Sequence, residues 1–209
     1  MRRILIAAGF LLVILASVIV IWFAVLKPKN QEKPATPPAL AISKHSDSFN
    51  QSVENLMNEY YALTEAFVNW DSASVNNRSK GLSEKLNSVD LNELKKDTSG
   101  ILETAEVFLN NAKNDAQTIQ QEPDITNKRH ALNSLSDNLF NFLRVVKHDR
   151  SKLYLQECPM AFNDEDPGMW LSKTPEIRNP YLGLHHPRYG KGMINCGETK
   201  DTLNYTAAQ

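Results

Sequence analysis

The sequence predicts a mainly α-helical protein: an antiparallel four-helix bundle with a small irregular C-terminal module, preceded by one transmembrane helix. Three observations support this fold class. The N-terminus carries a long uncharged apolar run, the middle of the chain repeats apolar residues at spacings of three and four, and the tail contains many Gly and Pro residues without a long period. The expected divisions are an anchor over 1–27, a Pro-rich linker over 28–44, the bundle over 45–150 and a Cys/Met-containing module over 151–209.

The apolar run over residues 4–26 is long enough to cross a membrane. Its roughly 23 residues would span about 35 Å as a helix, against a hydrocarbon core of about 30 Å. A cleaved signal peptide has a shorter apolar region that ends at a small-residue site, and the nearest such pattern, at 39–41, lies too far downstream. We therefore expect an uncleaved single-pass anchor. Positive charges flank the run almost equally, and only the short tail before it favours an exported body.

The composition predicts an extended linker and argues against a nucleic-acid partner. Prolines in the linker exclude a regular helix and favour an extended spacer; they are Pro28, Pro34, Pro37 and Pro38. Lys and Arg number 23 against 24 Asp and Glu, a formal net charge of -1, and no basic run is interleaved with aromatic residues. We therefore expect no nucleic-acid partner.

Four amphipathic segments predict the bundle, because each carries an apolar stripe that can be buried against the others while its polar face stays in water. The second stripe is the weakest of the four. The stripes are Phe49, Val53, Leu56, Tyr60, Leu63 and Phe67; then Val75, Leu82, Leu86 and Val89; then Leu94, Thr98, Ile101, Ala105, Phe108, Ala112 and Ile119; and finally Ile125, Leu132, Leu135, Leu139, Phe142 and Val146.

Local signals place helix starts and core positions within these segments. Asp71 or Ser72 is a suitable N-cap for the second helix. The stretch "DLNE" at 90–93 resembles a capping box with Asp in the cap position and predicts the start of the third helix. Phe108 and Leu139 lie on regular stripes, so both are expected to be buried.

The bundle offers little chemistry. It lacks the pair of helical Glu-x-x-His motifs that a di-iron bundle needs. No nucleophile–base pair or carboxylate pair stands out at a usable spacing either. We therefore expect a scaffold rather than an enzyme.

The only two cysteines lie in the tail, and each has a methionine nearby. Cys158 and Met160 are separated by Pro159, and in an extended strand residues i and i+2 point to the same side. Met193 and Cys196 are three apart, which places both on one face of a turn. If the two segments meet, four sulfur ligands converge, and thiolate and thioether ligands select Cu(I) and similar soft ions.

Zinc would need a different set of ligands, because it seldom uses methionine. It would have to recruit His185, His186 or His148 together with the two cysteines. The close-paired cysteine spacing usual for zinc is absent, so zinc is the weaker option. The pair His185 and His186 is typical of a surface loop, although either imidazole could join a nearby metal.

Two other interpretations of the cysteines stay open. Two cysteines in an exported protein often form a disulfide, which here would be Cys158–Cys196. Alternatively the thiols are free and buried, with Met160 and Met193 as ordinary core residues. A disulfide does not involve the methionines, whereas a soft-metal site would use them as ligands. Substitution of the methionines therefore distinguishes the two interpretations.

The tail also carries an ordered set of motifs: Cys158-Pro159-Met160, Trp170-Leu171-Ser172, Asn179-Pro180-Tyr181-Leu182-Gly183 and Met193-Ile194-Asn195-Cys196-Gly197. With the preceding helices, this order resembles a heavy-metal-efflux-associated domain of unknown function in bacterial envelopes. That domain occurs alone behind an export segment or anchor, and at the C-terminus of copper and silver efflux adaptor subunits. The departure here is the stretch "LHHPRYGKG", which is longer than the family's usual link.

The resemblance implies a single-pass protein of the bacterial inner membrane with its body in the periplasm, and heavy-metal efflux adaptor or pump components as partners. We accordingly expect a protein that binds Cu(I) or a similar ion for sequestration or handover. The expected ligands are Cys158, Met160, Met193 and Cys196, with His185 and His186 as candidate additions. The alternative is a structural or interaction module closed by a Cys158–Cys196 disulfide with no metal.

Overall fold

A computed structural model describes residues 44–206 of the chain. The predicted membrane anchor at 4–26 and almost all of the predicted linker lie outside these residues. Within residues 44–206, no helix is both long enough and apolar enough to cross a bilayer. The membrane prediction therefore stays a prediction.

Four α-helices make up the first two thirds of the described chain, as the apolar stripes predict. Three of the helices have an N-cap residue, Ser46, Asp71 or Asp124, whose side-chain oxygen accepts a backbone N–H of the first turn. The predicted cap at Asp71 is thereby confirmed. The helices are α1 (Asp47–Val68), α2 (Ser72–Asn87), α3 (Ile101–Gln121) and α4 (Ile125–Val146).

The prediction of a helix start at 90–93 is wrong. The chain forms a short 3-10 helix at Asn92–Lys96, and α3 begins later, after Gly100 with its positive φ of 86°. The reason is tertiary: Glu93 accepts a hydrogen bond from the Ser46 N–H at 2.8 Å and lies 2.6 Å from the His45 ring. The acid therefore serves the start of α1 instead of a helix of its own.

The apolar stripes form one core, since successive helices pack on each other in chain order. Leu139 is fully buried, as predicted. Phe108 is only half-buried, which corrects the other expectation, because Leu109 turns inward in its place and is 3 % exposed. Side chains with no exposed surface include Phe49, Val53, Leu56, Tyr60, Leu63, Phe67, Val75, Leu82, Ile119, Leu132, Leu135 and Phe142.

The C-terminal module is not simply irregular, as the sequence had suggested, because it contains a three-stranded antiparallel sheet. The strands are β1 (Leu153–Phe162), β2 (Asp166–Ser172) and β3 (Glu198–Leu203), in the order β2-β1-β3. Strand β3 has the sequence "ETKDTL" and four of its six residues are exposed, so it lacks the apolar alternation by which strands are recognised. The long connection between β2 and β3 is irregular, as expected.

Strand β2 joins the sheet to the bundle through its outer edge. The N–H of Met169 donates to the Asn133 side chain on α4 at 2.7 Å, and the N–H of Leu171 donates to the Tyr60 hydroxyl on α1 at 3.0 Å. The Tyr60 hydroxyl also lies 2.7 Å from the Ser136 hydroxyl. These bonds satisfy an edge that would otherwise expose unpaired backbone groups, so the sheet is fixed to the helices.

Candidate thiol site

The two cysteines meet where the central strand of the sheet passes the turn before β3. Cys158 lies on β1 opposite Gly168 and is fully buried, whereas Cys196 is half-buried. Their Sγ atoms are 3.1 Å apart and both thiols are free. The structure thus brings together the two segments in which the sequence places its candidate sulfur ligands.

The Met193–Cys196 segment forms the turn that its spacing predicts. The N–H of Cys196 donates to the carbonyl oxygen of Met193 at 3.0 Å. The segment is held from the other side by Asn179, whose backbone N–H donates to Ile194 at 2.9 Å and whose side-chain amide donates to the carbonyl of Cys196 at 2.8 Å. The Asn-Pro-Tyr motif and the Met-x-x-Cys motif are therefore parts of one structure.

Gly197 lets the chain approach β1 directly after Cys196. Its φ of 142° lies in a region that L side chains rarely adopt. A Cβ here would lie 2.7 Å from the carbonyl oxygen of Glu157 and 3.0 Å from the Trp170 ring. A glycine at this position thus permits the close approach that brings the second thiol to the first.

Two aromatic rings cover the sheet around the thiols. Trp170 is 2 % exposed and Tyr181 1 %, and their ring centroids are 6.0 Å apart. The Tyr181 ring lies against Gly168, the residue opposite Cys158, and its hydroxyl donates to the carbonyl of Met169. Burial, and then the interaction with Tyr60, raise the pKa of Tyr181 well above its usual value. The surroundings of the pair are therefore apolar and largely closed to water.

Both the burial and the pairing of the thiols keep Cys196 protonated. Burial, followed by the hydrogen bond and charge interaction with Cys158, raises the pKa of Cys196 to about 12. The nucleophile and metal ligand is the thiolate, so Cys196 is a poor nucleophile at neutral pH. A cation that replaces the proton, or oxidation of the pair, would remove this obstacle.

Met160 does not follow Cys158 along a regular strand. The register runs from Cys158↔Gly168 to Phe162↔Asp166, four steps along β1 against two along β2, so β1 bulges around Pro159. The same-side spacing of the sequence argument assumes an unbroken strand. Met160 is half-buried and lines a cavity of about 380 Å³, which Cys158 and Cys196 do not line.

The histidines considered as additional ligands lie in different surroundings. His186 packs edge-on against Trp70 and stacks on Tyr189, and its Nδ1 accepts the backbone N–H groups of Arg188 and Tyr189 at 3.2 and 3.3 Å. His185 is exposed. In the part of the chain that the structure describes, no three His, Cys, Asp or Glu side chains are grouped so as to hold a metal ion. The donors that meet here are the two sulfurs.

A buried arginine, which sequence analysis missed, holds the segment after Asn179. Arg129 on α4 is 2 % exposed and donates to the carbonyls of Pro180 at 3.1 Å and Phe67 at 3.2 Å. Its guanidinium lies 3.9 Å from the centre of the Trp70 ring, and burial lowers its pKa to about 10. In sequence Arg129 sits among polar residues of an amphipathic helix, so nothing there marked it as buried.

A buried glutamine beside the thiols, also missed, organises the loop after β2. Gln156 is fully buried, and its Nε2 donates to the carbonyl oxygens of Thr174, Pro175 and Glu176, each at 3.2 Å. Among residues 44–206 its Oε1 has no hydrogen-bond partner. The glutamine thus ties the loop to the central strand two residues before Cys158.

Comparison with known proteins reaches the helices but not the thiols. Residues 56–151 match the family described as "Protein of unknown function (DUF3347)", which makes the chain similar to that family from within α1 to the start of the sheet module. The match carries no link to heavy-metal efflux, and Cys158 and Cys196 lie beyond it. No match to a curated protein or to a solved structure was found.

Proposed function

We propose that this protein is a binding protein rather than an enzyme, and that Cys158 and Cys196 hold a soft metal ion, with Cu(I) the best chemical match. The observation that carries the proposal is the 3.1 Å separation of the two Sγ atoms, brought together from segments far apart in sequence. Thiolate sulfur prefers soft ions, and no imidazole or carboxylate in the described residues completes a harder site around the pair.

The sulfur separation is compatible with a metal after a small movement. Two sulfurs at about 2.3 Å from a tetrahedral ion are about 3.8 Å apart, so the pair would open by roughly 0.7 Å. Met193 precedes Cys196 in the same turn, and Met160 follows Cys158 across the bulge. Both thioethers are candidate further ligands for an ion that enters the pair.

The second candidate function is a structural module closed by a disulfide, and the same distance favours it. A sulfur–sulfur bond is about 2.05 Å long, so the thiols would close by roughly 1 Å. Both chemistries need a shift of similar size, in opposite directions. They differ in what becomes of the thiols and in whether the methionines matter.

The unequal exposure of the two thiols fits a protein that transfers its metal ion to another protein. Cys158 is fully buried while Cys196 is half-buried, so an incoming ligand would reach the metal first on the Cys196 side. We infer that the protein is anchored in the bacterial inner membrane by residues 4–26, with its body in the periplasm. Adaptor or pump components of heavy-metal efflux are the partners that the tail motifs suggest.

Titration of the full-length protein in detergent with Cu(I), against a competing chelator under reducing conditions, tests the metal site. We expect one equivalent to bind, Cys158→Ser or Cys196→Ser to abolish stoichiometric binding, and Met160→Leu or Met193→Leu to weaken it by about tenfold, as for supporting ligands. Met57→Leu, a buried methionine of α1, is the matched control and should bind like the parent. Because the thiols lose their protons when they bind the metal, the affinity for Cu(I) should fall about tenfold for each unit by which the pH is lowered, for each proton displaced.

A thiol count on the same sample separates the alternatives. A parent that binds no stoichiometric Cu(I) would overturn the metal proposal. In that event, absence of free thiols without reductant would support the disulfide, and two free thiols would support buried cysteines. Methionine variants that bind like the parent would remove the thioethers from the site and leave a two-thiol site.

A further inference from the structure

Asn179 is fully buried and connects two segments of the irregular connection between β2 and β3. Its Oδ1 accepts the N–H groups of Tyr181 at 2.7 Å and Leu182 at 3.0 Å, which fixes the turn that follows it. Its Nδ2 donates to the carbonyl of Cys196, and its own N–H donates to the carbonyl of Ile194. Its carbonyl also accepts the N–H of Gly183 at 3.1 Å. One residue thus makes five hydrogen bonds, two of them to the segment that bears the second thiol.

These bonds act on the position of Cys196 in particular. Cys158 is fixed on the central strand, opposite Gly168 of β2 and directly after Glu157, the last residue of β1 that pairs with β3. On the C-terminal side Cys196 is followed by β3, whose first residue, Glu198, pairs with Glu157. On the N-terminal side the turn is held by Asn179 at Ile194 and at Cys196 itself. Without the Asn179 side-chain amide, the backbone bond to Ile194 would remain, but the carbonyl of Cys196 itself would lose its donor.

The helical bundle in turn holds the segment that contains Asn179. Arg129 donates to the carbonyl of Pro180, and the Trp70 indole N–H donates to the carbonyl of Leu182 at 3.0 Å. Arg129 and Trp70 are themselves stacked. A continuous set of contacts therefore runs from α4 and the α1–α2 turn, through Asn179, to the thiol pair.

We propose that Asn179 is a positioning residue that keeps Cys196 beside Cys158 and so sets the effective concentration of one thiol towards the other. The inference rests on the thiol site described above but not on the identity of its ligand. A high effective concentration favours every reaction that uses both sulfurs at once, whether they bind one metal ion or form one bond. The hydrogen bond from Nδ2 to the Cys196 carbonyl is the contact that does this.

The variant Asn179→Asp isolates that contact. A carboxylate has nearly the shape of the amide and keeps the oxygen that accepts from Tyr181 and Leu182, but when ionised it has no donor for the Cys196 carbonyl. Asn179→Ala removes all side-chain bonds and serves as a second variant without a new charge. The matched control is Asn133→Ala, which deletes the bond that the Met169 N–H donates to the Asn133 side chain at the β2 edge, away from the Cys196 turn.

The measurement is the equilibrium of the full-length protein with a glutathione redox buffer, without metal. One oxidised glutathione takes two electrons from the two thiols, the Cys158–Cys196 bond forms, and two reduced glutathione molecules carry away the protons. We expect the effective concentration of the thiols to fall at least about tenfold in both Asn179 variants, a change of about 30 mV in the potential of the couple. Asn133→Ala should remain within about twofold of the parent, although it lowers stability.

The outcomes separate this inference from the metal proposal, because no copper is present. Folded Asn179 variants that match the parent would overturn the positioning role, whatever the copper titration shows. Loss of the fold in both variants, with Asn133→Ala still folded, would also overturn it by making Asn179 a determinant of the fold. A tenfold fall in the effective concentration of the thiols, in a protein that binds no Cu(I), would support the positioning role and overturn the metal proposal.

Discussion

The bundle and the sheet module are held together in different ways. In the bundle, apolar side chains recur every three or four residues and many have no exposed surface, so stability is spread over a large number of similar contacts. In the sheet module, the 25 residues between β2 and β3 are irregular (173–197). A few buried polar side chains hold that connection by its carbonyl groups: Arg129, Gln156 and Asn179, with Trp70.

The difference determines how each region responds to substitution. A core residue in the bundle can be replaced by another of similar volume, because its neighbours need only apolar surface of about the right shape. A side chain that donates to buried carbonyls has no such substitute, since its loss leaves polar atoms without partners. We therefore expect the largest single-residue effects from the polar anchors of the sheet module, although the bundle has the larger core.

The largest effect is expected at Arg129. Arg129→Met keeps much of the side-chain volume but leaves the carbonyl of Pro180 without its donor. It also takes one of two donors from the carbonyl of Phe67, which keeps the Trp70 N–H, and removes the guanidinium from the Trp70 ring. One orphaned buried carbonyl at about 1–3 kcal/mol, the lost bond from a charged donor to Phe67 at about 1.5–3 kcal/mol, and the lost packing predict a fall of about 4 kcal/mol in the free energy of unfolding. Urea titration at pH 7 measures it.

Arg144→Met is the control for that substitution, because Arg144 lies on the same helix and is exposed. Its loss should change stability by less than about 0.5 kcal/mol. Equal effects at the two arginines would contradict the view that the sheet module depends on individual polar anchors. We also expect Arg129→Met to loosen the thiol pair, since the Asn179 segment loses its support.

An intermediate effect is expected in the bundle core. Leu139→Ala and Leu109→Ala should each lower the free energy of unfolding by about 3 kcal/mol, as for buried leucines elsewhere. Phe108→Ala should lower it by only about 1 kcal/mol, because the ring is already partly exposed. If Phe108 proved more sensitive than Leu109 in thermal or urea unfolding, the rotation assigned to α3 would be wrong.

Among the buried side chains, the smallest of these effects is expected at the junction of the two regions, and it depends on pH. His148 lies between α4 and β1, is 3 % exposed, and its Nε2 is 3.3 Å from the Ser151 hydroxyl. Burial lowers the pKa of His148 to about 4; Asp149 opposes the shift, while His45 and Arg150 add to it. The unfolded chain therefore takes up a proton at higher pH than the folded protein does.

The stability that neutral His148 contributes is complete above its unfolded pKa of about 6.5 and is lost as pH falls towards 4. Between pH 7 and pH 5 the free energy of unfolding should fall by about 2 kcal/mol because of this group. In His148→Phe the fall over the same pH range should be smaller by that amount. The measurement is urea unfolding of both proteins at a series of pH values. Parallel pH profiles would show that His148 is not the group responsible.

The sequence predicted the bundle well because its signals are local. The apolar stripes of α1 and α4, the cap at Asp71 and the burial of Leu139 each depend on residues within a few positions of one another, and all are found in the structure. Errors appeared where a distant residue intervened. Glu93 was drawn to the start of α1, and α3 turned Leu109 inward in place of Phe108.

In the sheet module the sequence identified the residues of the candidate site but did not predict how they are arranged in space. It singled out Cys158, Cys196 and the Asn-Pro-Tyr motif, but neither the polar strand β3 nor the bulge at Pro159 has a periodic signal. The 3.1 Å approach of two thiols 38 positions apart depends on closing a long loop, and that closure is decided by buried donors on other elements, such as Arg129 and Asn179. Amphipathic periodicity determines helices by itself, whereas a hydrogen bond across the molecule has no period and exists only once the tertiary structure has brought its partners together.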